Sequence, residues 1–237
     1  MSLMLTLAFL FFIGAVSGWI LELIYRRFSP DNASKKWINP GLCKGPYLPI
    51  YGCGLCALFL LSSIEGLGFC SSSKCLLFTV MALSMTAIEY VAGLLCLHVF
   101  HVRLWDYSNE WGNIKGIICP KYSFFWAILS AIYFWGIHPY ILASLDWFSH
   151  NPTFSFIVGL FFGIFIVDLI NSTQLLAKLK QYANKHQITI SFDALKSRPL
   201  TSPEKGKKLR RFFFPFYNEK TLYKALKDLK NSFEDRK

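Results

Sequence analysis

Apolar positions along this chain do not alternate with polar ones. They gather into five blocks, each of about 17–25 residues, the length a helix needs to cross a bilayer. The blocks run approximately Leu3–Tyr25, Leu48–Ile64, Cys75–Phe100, Tyr122–Leu145 and Phe154–Leu176. This pattern predicts an all-α, polytopic integral membrane helix bundle of about five transmembrane helices. Lys and Arg number 0 before the first block, then 5, 1, 3, 0 and 16 in the successive intervals. High and low counts alternate, which places the N-terminus outside and the C-terminal tail in the cytoplasm. The first block has no basic residue ahead of it and is followed at once by Arg26 and Arg27, so it reads as a retained span and not as a secretory signal. Residues 1–177 then form the transmembrane domain, and 178–237 a basic cytoplasmic tail.

Composition agrees with this picture: 54% of the 237 residues are hydrophobic, 17% aromatic and only 16% charged. The net charge of +11 does not point to nucleic acid, because 16 of the 25 Lys and Arg follow residue 177 and no recognition module accompanies them. In that tail Leu222, Leu226, Leu229 and Phe233 fall at helical spacing within Thr221–Phe233, predicting an amphipathic helix. The cluster Lys205–Arg211 followed by Phe212–Phe214 suits an anionic lipid surface. A solvated tail fits it equally well.

Against this apolar background, single charges carry information. Glu89 lies inside the third block, where a carboxylate costs roughly 2.5–3.5 kcal/mol on insertion scales. Its block contains no Lys or Arg between Leu76 and Phe100, so a partner must come from elsewhere: a hydrogen bond to a neighbouring helix, or a polar pathway. Glu22 shares a face of the first block with Gly14 and Gly18, a spacing that permits close helix approach. Pairing with Arg26, one turn on, is the plainer role for Glu22. Asp168, followed by Asn171, Ser172, Thr173 and Gln174, reads as the wet end of the fifth span. Gly136 and Pro139 predict a kink in the fourth.

Two loops are too particular to be connectors. The one between the third and fourth blocks holds Arg103, Trp105, Asp106, Tyr107, Ser108, Asn113, Lys115 and Gly116. Asp106 can accept from backbone amides or from Arg103, while Trp105 and Tyr107 suit the headgroup zone. The first loop carries Gly45, Pro46, Pro49, Tyr51 and Gly52, residues that favour fixed backbone geometry. Gly41 to Tyr51 and Gly116 to Trp126 have the same separation, and an acidic residue precedes each. A parallel repeat of helix pairs, with Glu22 as the counterpart of Glu89, accounts for this and places a site between the repeats.

The chain contains no phosphate-binding Gly-x-x-x-x-Gly-Lys-Ser/Thr loop, no Gly-x-Ser-x-Gly elbow and no His-Glu-x-x-His motif, so no catalytic residue, cofactor or metal is assigned. Cys53 and Cys56 read as small packing residues in a span, and His98 and His101 as packing more than as ligands. Cys70 and Cys75 flank an outer loop in which a disulfide is chemically possible.

The ordered set Gly45–Gly52, Glu89 with Gly93, Trp105-Asp106-Tyr107-Ser108 and Asn113–Cys119 resembles the ABC-transporter type IV permease family, the CmpB-like bacterial membrane proteins. The resemblance covers roughly residues 10–145. It departs at Pro40 and Ile117, where the family pattern often has Arg, and at Leu97, where an acid sometimes stands. The resemblance implies a multi-pass permease or permease-like subunit of a bacterial inner membrane, with a separate ATPase subunit as partner and Glu22, Glu89, Trp105, Asp106, Tyr107, Ser108 and Asn113 at a substrate pathway or structural polar site. Five spans are few for a transport path, which makes a homo-oligomer an expectation too. A membrane enzyme acting on lipid-linked substrates and a scaffold or assembly factor are the alternatives.

Overall fold

A computed structural model describes residues 2–29, 32, 35, 37–65, 74–186, 189–197, 222, 226 and 227. The basic cluster 205–211, the phenylalanines 212–214, Cys70, the Cys75 side chain and most of the expected tail helix lie outside the described residues. The architecture is helical, as expected, and four of its helical segments are long and apolar enough to cross a membrane: Leu3–Phe28, Leu76–Phe100, Pro120–His150 and Pro152–His186. The second expected span forms a shorter apolar helix.

Helix α1 (Leu3–Phe28) begins where Ser2 caps it, the hydroxyl accepting from the Leu5 amide, and ends with Arg26 and Arg27 in its last turn. Cations there complement the negative end of the helix dipole. Helix α2 (Pro49–Glu65) packs antiparallel on it. The approach is close because of glycine. A Cβ on Gly14 would lie 2.9 Å from the Tyr51 carbonyl oxygen, one on Gly18 would overlap the Tyr51 side chain, and one on Gly52 would lie 2.8 Å from the Phe11 carbonyl. At 17 residues α2 is about 26 Å long, slightly less than the ≈30 Å hydrocarbon core.

Helix α3 (Lys74–Phe100) makes the second hairpin with α4 (Pro120–Ile132) and lies against α2. The fourth apolar segment is one continuous helix in which a π turn, Tyr133–Ile137, separates α4 from α5 (His138–His150). The His138 amide reaches back to Tyr133, and Pro139, which has no N–H, follows. Gly136 and Pro139 thus mark a real irregularity. Phe9 of α1 stacks on Phe148 of α5 at 4.4 Å, and Leu10, Met81, Met85 and Ile141 fill the core between them.

Helix α6 (Ser155–His186) is 32 residues long, about 48 Å, and continues without a break past Lys178, into what reads from sequence as a separate tail. Phe161, Phe162 and Phe165 pack it on Phe11, Phe12 and Tyr47. Its other face exposes Leu160, Ile164, Val167 and Ile170, side chains a lipid environment accepts at no cost. Beyond α6 the chain folds back. Strand β2 (Ile190–Ser191) pairs parallel with β1 (Val102–Arg103), and α7 (Phe192–Ser197) follows. Val102, Leu176, Leu179, Ile190, Leu195, Leu222 and Leu226 form a second buried cluster there. The loops after α1 and α3 therefore share one face with the end of α6 and the segment beyond it.

Candidate functional site

Glu89 is 3% exposed and has both oxygens engaged. The Tyr107 hydroxyl donates to Oε1 at 3.1 Å, and the Trp126 indole N–H to Oε2 at 2.9 Å. Its partners therefore come from the following loop and from α4, eighteen and thirty-seven residues away. Glu22 is held in the same manner one hairpin earlier: Tyr51 O–H donates to Oε2 at 3.0 Å and Arg26 Nε to Oε1 at 2.9 Å. The two sites touch, because the Tyr51 and Trp126 rings pack with centroids 5.1 Å apart. Tyr25, Tyr107 and Tyr122 extend the assembly. Tyr107 stacks on Tyr122 at 4.2 Å, whose hydroxyl lies 3.3 Å from that of Tyr25.

Spacing ties the two hairpins together. Gly41 and Gly116, Tyr51 and Trp126, and also Gly18 and Gly93 and Tyr47 and Tyr122, are all 75 positions apart (116 − 41 = 126 − 51 = 93 − 18 = 122 − 47 = 75). Gly18 abuts Tyr51, whereas Gly93 abuts Ile117, whose match at this spacing is Leu42, so these two close approaches are not equivalent. At this spacing Glu22 matches Leu97 and Glu89 matches Gly14, so the acids are not positional equivalents. Equivalent aromatics reach them from equivalent places.

The loop from His101 to Cys119 is folded around Asp106 and Asn113. Asp106 Oδ1 accepts from the Ser108 hydroxyl at 2.5 Å, from the Ser108 amide at 3.0 Å and from Arg103 Nη1 at 3.0 Å. Partial burial raises its carboxyl pKa, but Ser108 and then Arg103 outweigh that and hold it below the ordinary aspartate value. Asn113 donates to the Ser108 and Glu110 carbonyls and accepts from the Gly116 amide. Gly116 sits at φ +69°, and a Cβ there would lie 2.5 Å from Ser108 Oγ. Trp105 and Tyr107 do not use their polar atoms at a headgroup zone. The Trp105 indole donates to the Ile117 carbonyl at 2.8 Å, and Tyr107 turns inward to Glu89. Burial, then the nearby Glu89 charge, push the Tyr107 phenol far above its ordinary range, which keeps it a donor.

The first loop is organised by an asparagine whose role the sequence pattern does not assign. Asn39 is buried, accepts from the Trp19 indole at 2.8 Å and the Gly41 amide at 3.3 Å, and donates to the Cys43 carbonyl at 3.2 Å. Gly45 and Tyr47 reach across to α6, where the Gly45 amide (2.8 Å) and the Tyr47 hydroxyl (2.5 Å) both donate to Asp168 Oδ2. Asp168 is thus 8% exposed, not the wet end of a helix, and Ser172 one turn on is buried as well. Cys43 lies beside them; burial and then Asp168 push its thiol up to about 11, leaving it unreactive. Pro49 opens α2, and Pro46 is exposed. Lys196 of α7 donates to the Asn39 carbonyl at 2.8 Å and to the Gly41 carbonyl, so the chain beyond α6 holds the first loop by a lysine and the second by a strand. Among the described residues no three His, Cys, Asp or Glu gather as metal ligands.

Fold and site together define a polytopic helical membrane protein with an internal carboxylate–aromatic network. A family model described as "Putative ABC-transporter type IV" matches residues 9–173, and the chain belongs to that family. The match runs through the apolar part of α6, beyond the residues 10–145 that carry the motifs. No curated protein matches the chain, and no solved structure does.

Proposed function

We propose that this protein is the membrane-spanning, permease-like subunit of a transporter in a bacterial cytoplasmic membrane, energised by a separate ATP-binding subunit. In this reading all five apolar helices cross the bilayer, the N-terminus is outside, and the face bearing both motif loops and the tail is cytoplasmic. The observation that carries it is the Tyr107 contact. A cytoplasmic loop reaches a carboxylate buried in the bundle, so a displacement of that loop is felt at Glu89 and, through Trp126 and Tyr51, at Glu22.

The loop is suited to carry force. Asp106, Asn113 and Gly116 fix its backbone, and β2 backs its base, so a partner pressing on it moves Tyr107 as part of a rigid unit. Withdrawing Tyr107 frees one Glu89 oxygen at the cytoplasmic side, where a cationic or hydrogen-bonding group of a substrate can replace the phenol. A second copy of the chain completes the pathway. Membership of a family named for ABC transporters supports the ATP-binding partner.

A second reading, a non-transporting membrane scaffold, draws on the saturation of Glu89: with both oxygens occupied, the carboxylate serves as a latch between α3, α4 and the loop. Purification from native membranes in mild detergent separates the two. Co-purification of an ATP-binding subunit, whose hydrolysis rate falls with Tyr107→Phe, supports the permease. Self-association alone, with no nucleotide-binding partner, overturns it in favour of the scaffold.

A further inference from the structure

We propose that Trp111 is a bilayer anchor: its indole lies in the phospholipid headgroup layer beside the first turn of α4 and fixes the depth of the loop that carries Tyr107. Of the three large aromatic side chains on that loop, Trp105 and Tyr107 turn their polar atoms inward, to the Ile117 carbonyl and to Glu89. Trp111 does not. It is 86% exposed and makes no hydrogen bond, ring contact or cation contact among the described residues. Its backbone is nevertheless fixed. The Glu110 amide donates to the Tyr107 carbonyl at 2.9 Å, and Asn113 donates to the Glu110 carbonyl at 2.9 Å. Such a segment presents the indole at little further entropic cost.

Contacts of its two neighbours in the chain locate the indole. The Glu110 carboxylate pairs with Lys121 Nζ at 2.6 Å, and Gly112 lies against Pro120, whose Cγ a Cβ on that glycine would meet at 3.1 Å. Trp111 stands between these residues, so it is level with the first turn of α4. The side is given as well. Lys121, Phe124, Phe125, Ile128 and Ile132 fall at i, i+3, i+4, i+7 and i+11, on one helix face, and all are exposed. That is the lipid-facing side of α4, and Glu110 reaches it at its outermost residue.

Length sets the depth. The span Pro120–His150 has 31 residues, about 46 Å, against a hydrocarbon core of about 30 Å and about 40–45 Å with the headgroups included. Its ends therefore stand in the headgroup layers, where a tryptophan is favoured and where Lys121 keeps its amine wet above an apolar stem. The same lysine offsets the Glu110 charge, which would otherwise repel anionic lipid. Continuity with the lipid-facing surface of α4, and not exposure alone, selects lipid over a protein partner.

The test uses the full chain, carrying fluorotryptophan, in nanodiscs of phosphatidylethanolamine and phosphatidylglycerol. Among the fluorine NMR signals of the seven tryptophans, the one missing in Trp111→Phe belongs to Trp111. That signal should be lost when the lipid carries a nitroxide just below its headgroup, and should survive a water-soluble gadolinium chelate. Loss to the chelate with survival of the nitroxide overturns the proposal, because the ring then stands in water, open to a protein partner. Survival of both reagents also overturns it, since a second copy of the chain then covers the ring. Hydrogen–deuterium exchange reads the anchoring. Trp111→Gln should speed exchange of the Glu110 amide several-fold, and Trp111→Tyr, which keeps an amphipathic ring, should return it towards the parent rate. A parent rate in Trp111→Gln means that the loop is held by its own bonds, and the anchor is refuted. No ATP-binding subunit is present in either assay, so failure here leaves the transporter reading standing.

Discussion

Tyr107→Phe keeps the ring that stacks on Tyr122 and removes only the hydroxyl that reaches Glu89. The loss leaves Oε1 of a 3%-exposed carboxylate without its donor. A hydrogen bond to a charged group contributes about 1.5–3 kcal/mol, which converts to about 10–150-fold in the equilibrium for loop opening. Trp126→Phe removes the other donor and carries a similar electrostatic cost, plus that of a smaller ring against Tyr51. Because both donors serve one carboxylate, the double variant should depart from additivity. Hydrogen–deuterium exchange in lipid nanodiscs reads this directly, with the Tyr107 amide, bonded to the Gly116 carbonyl, and the Ile114 amide, bonded to Ile118, as reporters. Exchange across residues 101–119 should accelerate within the stated range in Tyr107→Phe. If those amides exchange within twofold of the parent rate, the loop is held by its own Asp106 and Asn113 contacts, and the coupling assigned to Glu89 is wrong.

Other residues give independent checks. Gly116→Ala forces a Cβ onto a left-handed backbone and against Ser108; a loss of about 1–2 kcal/mol or more is expected in thermal unfolding, and an unchanged melting curve would contradict the loop geometry. The folded-state pKa of Asp106 is depressed, so its contribution is complete above the ordinary aspartate pKa of about 3.9 and is lost as pH falls through the lower folded value. Protection of the Ser108 amide should therefore persist at pH 5 and fade below about 4, and Asp106→Asn should abolish that pH dependence. Lys196→Met removes the donor to the Asn39 and Gly41 carbonyls; protease should then cut within residues 37–48 several-fold faster, while cleavage within 104–118 stays at the parent rate.

Apolar block length placed the starts of the five apolar helical segments within a few residues, because desolvation of a continuous run leaves no alternative to helix; α7 and the last turns of α6 lie outside those blocks. The small faces of Gly14 and Gly18 were legible for the same local reason: spacing by four puts them on one side. What escaped depended on distance along the chain. Asp168 looked like a helix end approaching water, and nothing near it in sequence announces that Gly45 and Tyr47 fold over it from more than 120 positions away. Asn39 has the residue type of an ordinary turn former, and its role came into view only with Trp19 beside it. The donor to Glu89 from α4 did leave a trace, since the matching separations of Gly41 to Tyr51 and Gly116 to Trp126 single out that tryptophan. The extension of α6 left none: once its lysines begin, a helix that stays folded by packing on Val102 and Ile190 has the composition of a solvated tail.

The contact of Lys196 with the Asn39 carbonyl spans 157 positions, and that distance is also a time. At 5–20 residues per second, the ribosome delivers Lys196 roughly 8–30 s after Asn39. During that interval the first loop is already made while its clamp does not yet exist, and β1 waits likewise for β2. The nascent protein therefore passes through a stage with its helices in place and its loop face unfastened. Any surface that the two loops build together with the chain beyond α6 is therefore complete only when that last segment arrives.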